Sequence, residues 1–245
     1  MSFPKFRNKH LEEGIFGPKD SLKFDKRKKL NLPKKYIIVY DRHLINRLKR
    51  KYKLKKHKVH FFGSELYLHK GVGIIKMEGI GAPHAVSVFE NFISLGANVF
   101  LNIGFAGGLQ KEGIFLCKKA LRDEGVSHHY ISHGDYSYPD EKLTKKFGKI
   151  LKKRNINFEE GITWTIDAPY RETKSEVEHY SKKGISTVEM EASALFAVAK
   201  VKKVKIASGF VVSDVLGNKW EYKYHKLDVK KALDDLFDSA MECLR

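Results

Sequence analysis

The chain has 245 residues, a hydrophobic fraction of 42% and a formal net charge of +18. That length suffices for one large domain with its own core, and no apolar run is long enough to predict a membrane span. The charge attracts anions such as nucleotides or phosphate, although the basic residues are scattered in clusters such as Lys26-Arg27-Lys28-Lys29, which read as solvated faces.

Residues 1–34 are polar and basic, punctuated by Gly17-Pro18 and Leu32-Pro33, and read as a lead-in that packs on the domain or on a partner subunit. Residues 35–245 read as one domain. Lys35–Tyr40 is rich in β-branched and aromatic residues and predicts a strand buried on both faces. Leu44–Tyr52 has helical apolar spacing. Val59–Leu68, which contains Gly63-Ser64, predicts a hairpin, and Gly73–Met77 a further strand. Gly79-Ile80-Gly81-Ala82-Pro83 opens a helix running to Leu95, with proline suited to a first helical turn.

Asn98–Ile103 predicts a buried strand that ends in the turn Gly104-Phe105-Ala106-Gly107-Gly108-Leu109. Ile114–Leu121 and Phe158–Ile166 are strands, with a helix over Asp140–Arg154 between them. Asp167–Thr173 is a loop leading into a helix that ends at Lys183. Ser186–Glu189 turns from a strand into a helix ending at Ala199. A strand over Lys205–Val212 ends in Ser213-Asp214, and a helix over His225–Leu244 closes the chain. The alternation predicts an α/β fold: a single-domain three-layer sandwich with a central mixed, mostly parallel sheet flanked by helices.

Four constellations fall at strand ends, where open α/β sheets bind ligands. In the first, the amides of Gly104, Phe105, Ala106 and Gly107 can hold an anion or a base edge; the alternative is a tight turn. In the second, Tyr170 offers a stacking face and Arg171 a planar fork; the alternative is a loop with Pro169 and Glu172 as ordinary boundary residues. The third is Glu189-Met190-Glu191. On strand geometry the two carboxylates share a face, and an ionised carboxylate can accept from a pair of vicinal hydroxyls; the alternative is a pair of helix caps. The fourth is Ser213-Asp214, where an acid ending a buried strand can donate a proton to a leaving group, or simply cap or pair with a lysine. Adjacent His128 and His129 share no strand face and no Cys-x-x-Cys occurs, so neither a metal nor a cofactor is expected. Cys117 and Cys243 suit a reducing compartment, and the opening Met-Ser-Phe-Pro-Lys-Phe-Arg lacks a signal-peptide core, so a cytoplasmic location is expected.

These residues, in this order, resemble the family of hexameric purine nucleoside phosphorylases, uridine phosphorylases and adenosylhomocysteine nucleosidases. The likeness rests on Gly79-Ile80-Gly81-Ala82-Pro83, the Gly104–Leu109 turn, Val188-Glu189-Met190-Glu191-Ala192 and Ser213-Asp214, and runs from about residue 35 to the end. Arg122-Asp123-Glu124-Gly125 with Ser127–Tyr130, and Trp164–Thr173, are similar to an atypical subgroup. The resemblance implies that Glu191 binds the ribose hydroxyls, with Met190 against the sugar and Glu189 beside it. It implies that Asp214, with Ser213, protonates the base, that Tyr170 stacks on it and Arg171 contacts it, and that the glycine turn floors the pocket. It further implies a homodimer or a hexamer built as a trimer of dimers.

The departures concern phosphate. Where the family has an arginine two residues before the turn, and a serine or threonine after its first glycine, this chain has Asn102 and Phe105; its early phosphate glycine is replaced around Tyr40-Asp41-Arg42. Arg42, Gly81 and Asn102 are the candidate phosphate ligands that remain, with Lys76 as a further substitute. The expected activity is nucleoside phosphorolysis of a purine nucleoside or uridine, giving free base and ribose 1-phosphate with inorganic phosphate as co-substrate. Hydrolysis by water is the alternative. A non-catalytic protein binding nucleosides or nucleic acid ranks lower, because it leaves Glu191 and Asp214 unexplained.

Overall fold

Lys35–Val39 forms β1, and its side chains alternate between two cores as strand geometry requires. In the computed structural model, which describes residues 4–6, 8–20, 30–217 and 219–245, Tyr36 and Ile38 enter one hydrophobic cluster and Ile37 and Val39 the other. The elements that follow are α1 (Arg42–Tyr52), β2 (Lys56–His57), β3 (Glu65–His69), β4 (Val72–Lys76), α2 (Ala82–Ser94), β5 (Val99–Gly108) and β6 (Ile114–Asp123). Then come α3 (Ser127–Tyr130), β7 (Tyr136–Ser137), α4 (Glu141–Lys153), β8 (Glu159–Ile166), α5 (Lys174–Lys182) and β9 (Ile185–Glu189). The last are α6 (Ala192–Lys202), β10 (Lys205–Val215), β11 (Glu221–Tyr222) and α7 (Leu227–Leu244).

The strands make one mixed sheet with helices on both faces, as expected. Its long ladders are parallel: β5 on β10, β6 on β8, and β1 on both β4 and β5. One cluster packs Phe89 and Phe92 of α2 and Leu195 and Phe196 of α6 against Tyr36 and Phe100. On the opposite face Phe147 of α4 and Leu236 and Phe237 of α7 cover Leu101 and Ile103. Burying such side chains contributes about 1.5–3 kcal/mol each.

β5 organises the site. Over Val99–Asn102 it lies between β1 and β10; by Gly107–Gly108 it has left β1 and pairs with β9. The strands β5, β10, β6, β8 and β9 thereby close into a ring. β1 runs parallel to the first half of β5 and β9 antiparallel to its end, and the crevice opens where the one neighbour gives way to the other.

Two expectations are corrected. Gly104–Gly108 is not a turn but the second half of β5. Glycine is required there by close approach: a Cβ on Gly104 would meet the Tyr40 ring at 3.2 Å, and one on Gly108 the Lys111 carbonyl oxygen at 2.2 Å. The hairpin near Val59–Leu68 has Lys56–His57 as its first arm, because a ring nitrogen of His57 takes the Val59 amide and the chain leaves the ladder. A second hairpin, β3 to β4, turns on Lys70 and Gly71, both with positive φ.

Candidate active site

The crevice is an open cavity of about 970 Å³. The end of β1 supplies Tyr40 and Asp41, and β5 supplies Gly104, Phe105, Ala106 and Gly107. Glu189, Met190 and Glu191 come from the end of β9, and Ser213 and Asp214 from β10. Tyr170, Glu172 and Lys174 line it from the loop and start of α5; Lys219 and Trp220 line it from the loop after β10. Three of the four constellations are thus brought together whole, and the second contributes Tyr170 without Arg171.

Glu189 and Glu191 take different roles. Glu189 accepts from the Thr165 hydroxyl at 2.5 Å and from the amides of Glu191 and Ala192 at 2.8 and 2.7 Å. It therefore caps α6, whose own N-cap residue, Glu191, makes no side-chain cap. Glu191 instead leaves strand geometry, at φ −137° and ψ −33°, and accepts from the Gly81 amide at 2.6 Å. Gly81 presents that amide at φ 94°, a conformation that favours glycine. Both carboxyls are buried. Burial, and then the Glu189 charge, push Glu191 up to about 8. Glu189 is raised by burial but held down by its hydrogen bonds, so the proton of this pair resides on Glu191.

Asp214, which also lines the cavity, accepts from the Ser213 hydroxyl at 2.8 Å and from the Trp220 indole at 2.9 Å. Glu172, beside it, is half-buried; burial and the charges of Asp214 and Glu176 push its carboxyl up to about 7. Tyr170, Trp220 and Ile80 expose apolar surface at the mouth.

The corner under β1 is filled. Tyr40 donates to Asn102 Oδ1 at 3.0 Å, and the Asn102 amide donates to Ser208 Oγ at 3.2 Å. Asn102 is fully buried and does not line the cavity. Phe105 packs edge-on against Tyr224 at 5.1 Å, and the Tyr224 hydroxyl donates to Asp41 at 2.6 Å. Asp41 also caps α1 by accepting from the Leu44 amide. Arg42 is exposed and outside the lining, and Lys76 is buried in an ion pair with Glu78 at 2.7 Å. Among the described residues, the lining's only basic side chains are Lys174 and Lys219.

The phosphorylase superfamily profile matches residues 36–245. The chain belongs to the phosphorylase superfamily. It is 32% identical over 151 residues to a purine nucleoside phosphorylase of Plasmodium falciparum (isolate 3D7), a match covering 58% of this chain and 61% of that protein. A purine nucleoside phosphorylase of Plasmodium vivax (strain Salvador I) is 29% identical over 176 residues, covering 68% and 71%. The chain thus spans about three fifths of the length of the first of these relatives. In fold it is similar to the AMP nucleosidase of Bacteroides thetaiotaomicron VPI-5482, with a TM-score of 0.76, 15% identity and coverage of 93% and 98% of the two chains.

Two lining residues of this superfamily member escape a sequence reading. Glu172 looks like a boundary acid, yet the capping box of α5 is made by Thr173 and Glu176, which leaves Glu172 to the cavity. The register of that box, Thr173 to Glu176, was the available signal. Trp220 sits in a polar loop six residues past Asp214, and only the folded loop brings its indole onto that carboxylate. The subgroup-like segment Arg122–Tyr130 is structural: Arg122 donates to the carbonyls of His133 and Gly134, and Glu124 takes the Val126 and Ser127 amides and the Ser193 hydroxyl.

Proposed function

We propose that this cavity cleaves the N-glycosidic bond of a nucleoside and passes the sugar to water. The observation that carries the cleavage reading is Glu191: a buried carboxyl lining the cavity, held by backbone amides and with capacity left to accept from vicinal hydroxyls. Met190 lies beside it for the sugar face, with Tyr170 and Trp220 at the mouth to flank a base. Cleavage builds positive charge on the sugar and negative charge on the base. The Glu189–Glu191 pair, which holds one proton and one negative charge, addresses the sugar, and a proton donor addresses the base.

Electrostatics favour water over phosphate as the acceptor. Asp41, Glu172, Glu189, Glu191 and Asp214 line the cavity against Lys174 and Lys219; with protons on Glu172 and Glu191, three carboxylates still face two lysines, and no arginine lines it among the described residues. An anionic co-substrate would enter a field of its own sign. Tyr40, Asn102 and Phe105 are neutral and bonded or packed among themselves and their neighbours. Phosphorolysis stands second, supported by Lys174, Lys219 and the names of the relatives. Purines rank ahead of uridine only through Asp214. Phe6, Leu11, Ile15 and Phe16, exposed on the lead-in, support a homodimer or trimer of dimers.

The test is release of free base from a panel of purine and pyrimidine ribonucleosides beside their 2′,3′-dideoxy counterparts. The ribonucleosides are cleaved and the dideoxy compounds are not. No release from any ribonucleoside would remove the reading.

A further inference from the structure

We propose that Glu172, and not Asp214, delivers the proton to the departing base; the proposal rests on the cleavage reading above. Both Asp214 oxygens already accept, one from Ser213 Oγ at 2.8 Å and the other from Trp220 Nε1 at 2.9 Å. Both oxygens of Asp214 are thus already engaged by donors on its own side of the cavity. Glu172 lines the same cavity within the electrostatic reach of Asp214, with no hydrogen-bond partner among the described residues, and is freed from helix capping by Glu176.

Two carboxyls in one partly buried site do not both ionise readily, and the better-solvated or better-bonded one takes the charge. Asp214 is the better-bonded one. Its fixed charge keeps the proton on its neighbour, consistent with a Glu172 carboxyl pushed up to about 7 by burial, then by Asp214 and Glu176. Asp214 is then a positioning residue and Glu172 the acid. The other charged groups of the cavity are Lys174 at the start of α5, Lys219 after β10, Asp41 after β1, and the Glu189–Glu191 pair at the end of β9.

In the step, the bond between C1′ and the base nitrogen breaks and its electron pair leaves with the base. The Glu172 proton passes to an acceptor atom of that base. A bond forms from C1′ to the oxygen of water, which releases one proton to solvent, and Glu172 regains a proton from solvent. Water is thereby added across the glycosidic bond, with no oxidant or reductant needed.

The experiment compares the wild-type chain, Glu172→Gln and Asp214→Asn on two substrates: a purine ribonucleoside, and 4-nitrophenyl riboside, whose phenolate leaves without a proton. The ratio of the two rates within each variant is independent of how much protein is folded. Glu172→Gln is expected to lose about 100-fold or more on the nucleoside, the scale of general acid catalysis, while changing little on the nitrophenyl riboside. The fall in nucleoside cleavage above about pH 7 disappears with it. Equal losses on both substrates would reduce Glu172 to a structural role, and the same selective loss in Asp214→Asn alone would return the acid to Asp214. Wild-type protein inert on both would remove the parent reading and this proposal with it.

Discussion

The Gly81 amide donates to Glu191 Oε1 at 2.6 Å, joining the start of α2 to the end of β9 across 110 residues of sequence. This bond fixes the candidate sugar carboxylate, and it depends on a backbone conformation at φ 94° that side-chain-bearing residues rarely adopt. Gly81→Ala therefore costs about 1–3 kcal/mol of backbone strain and turns the amide away from Glu191. Denaturant unfolding should show the lower stability, and cleavage should fall further than stability accounts for.

Glu191 and Glu189 separate function from stability. Glu191→Gln should lose nucleoside cleavage yet gain stability at alkaline pH. The sign follows from its raised folded value: the unfolded chain ionises near 4.5, the folded one near 8, so stability falls as pH rises through that window. The amide removes this loss. Thermal unfolding at pH 5 and pH 8 should show a flatter dependence in the variant, with a gain on the order of 1–3 kcal/mol at pH 8.

Glu189→Gln should do the opposite. It weakens the cap of α6 and the bond to Thr165, which costs about 1–3 kcal/mol. Urea midpoints measure it; a neutral result would mean that the helix does not depend on this carboxylate.

Tyr40→Phe removes the donor to Asn102 and leaves a fully buried amide oxygen without its partner. The expected cost is about 1–3 kcal/mol. Because Tyr40 serves the filled corner rather than an anion, the variant should remain insensitive to phosphate in a cleavage assay.

Much of this arrangement is legible in the residues alone. Lys35–Tyr40 is apolar without alternation because both faces of β1 are covered, and the cap residues Asp41, Asp140 and Thr173 stand where their helices begin. The ends of the parallel strands β1 and β10 reach the cavity along β5, and β9, antiparallel to β5, delivers Glu189 to the same place from the opposite direction. What could not be read was conformation within the motifs. The period of two gave Glu189 and Glu191 a common face, but the chain leaves the strand at Met190 and the two acids diverge. The glycines of 104–108 suggested a turn, whereas their bare backbone lets Tyr40 and the Lys111 carbonyl pack close to a continuing strand. Glu172 and Trp220 enter the site through loops, where spacing carries little information about direction.

The central claim is that a nucleoside is cleaved here by water. The most direct measurement follows sugar products from a purine ribonucleoside, in phosphate-free buffer and again with added inorganic phosphate. Free ribose at the same rate in both is the expected result, as a lining of five carboxyls and two lysines favours. Ribose 1-phosphate formed only when phosphate is present would contradict it and show that Lys174, Lys219 or another subunit supplies the anion site.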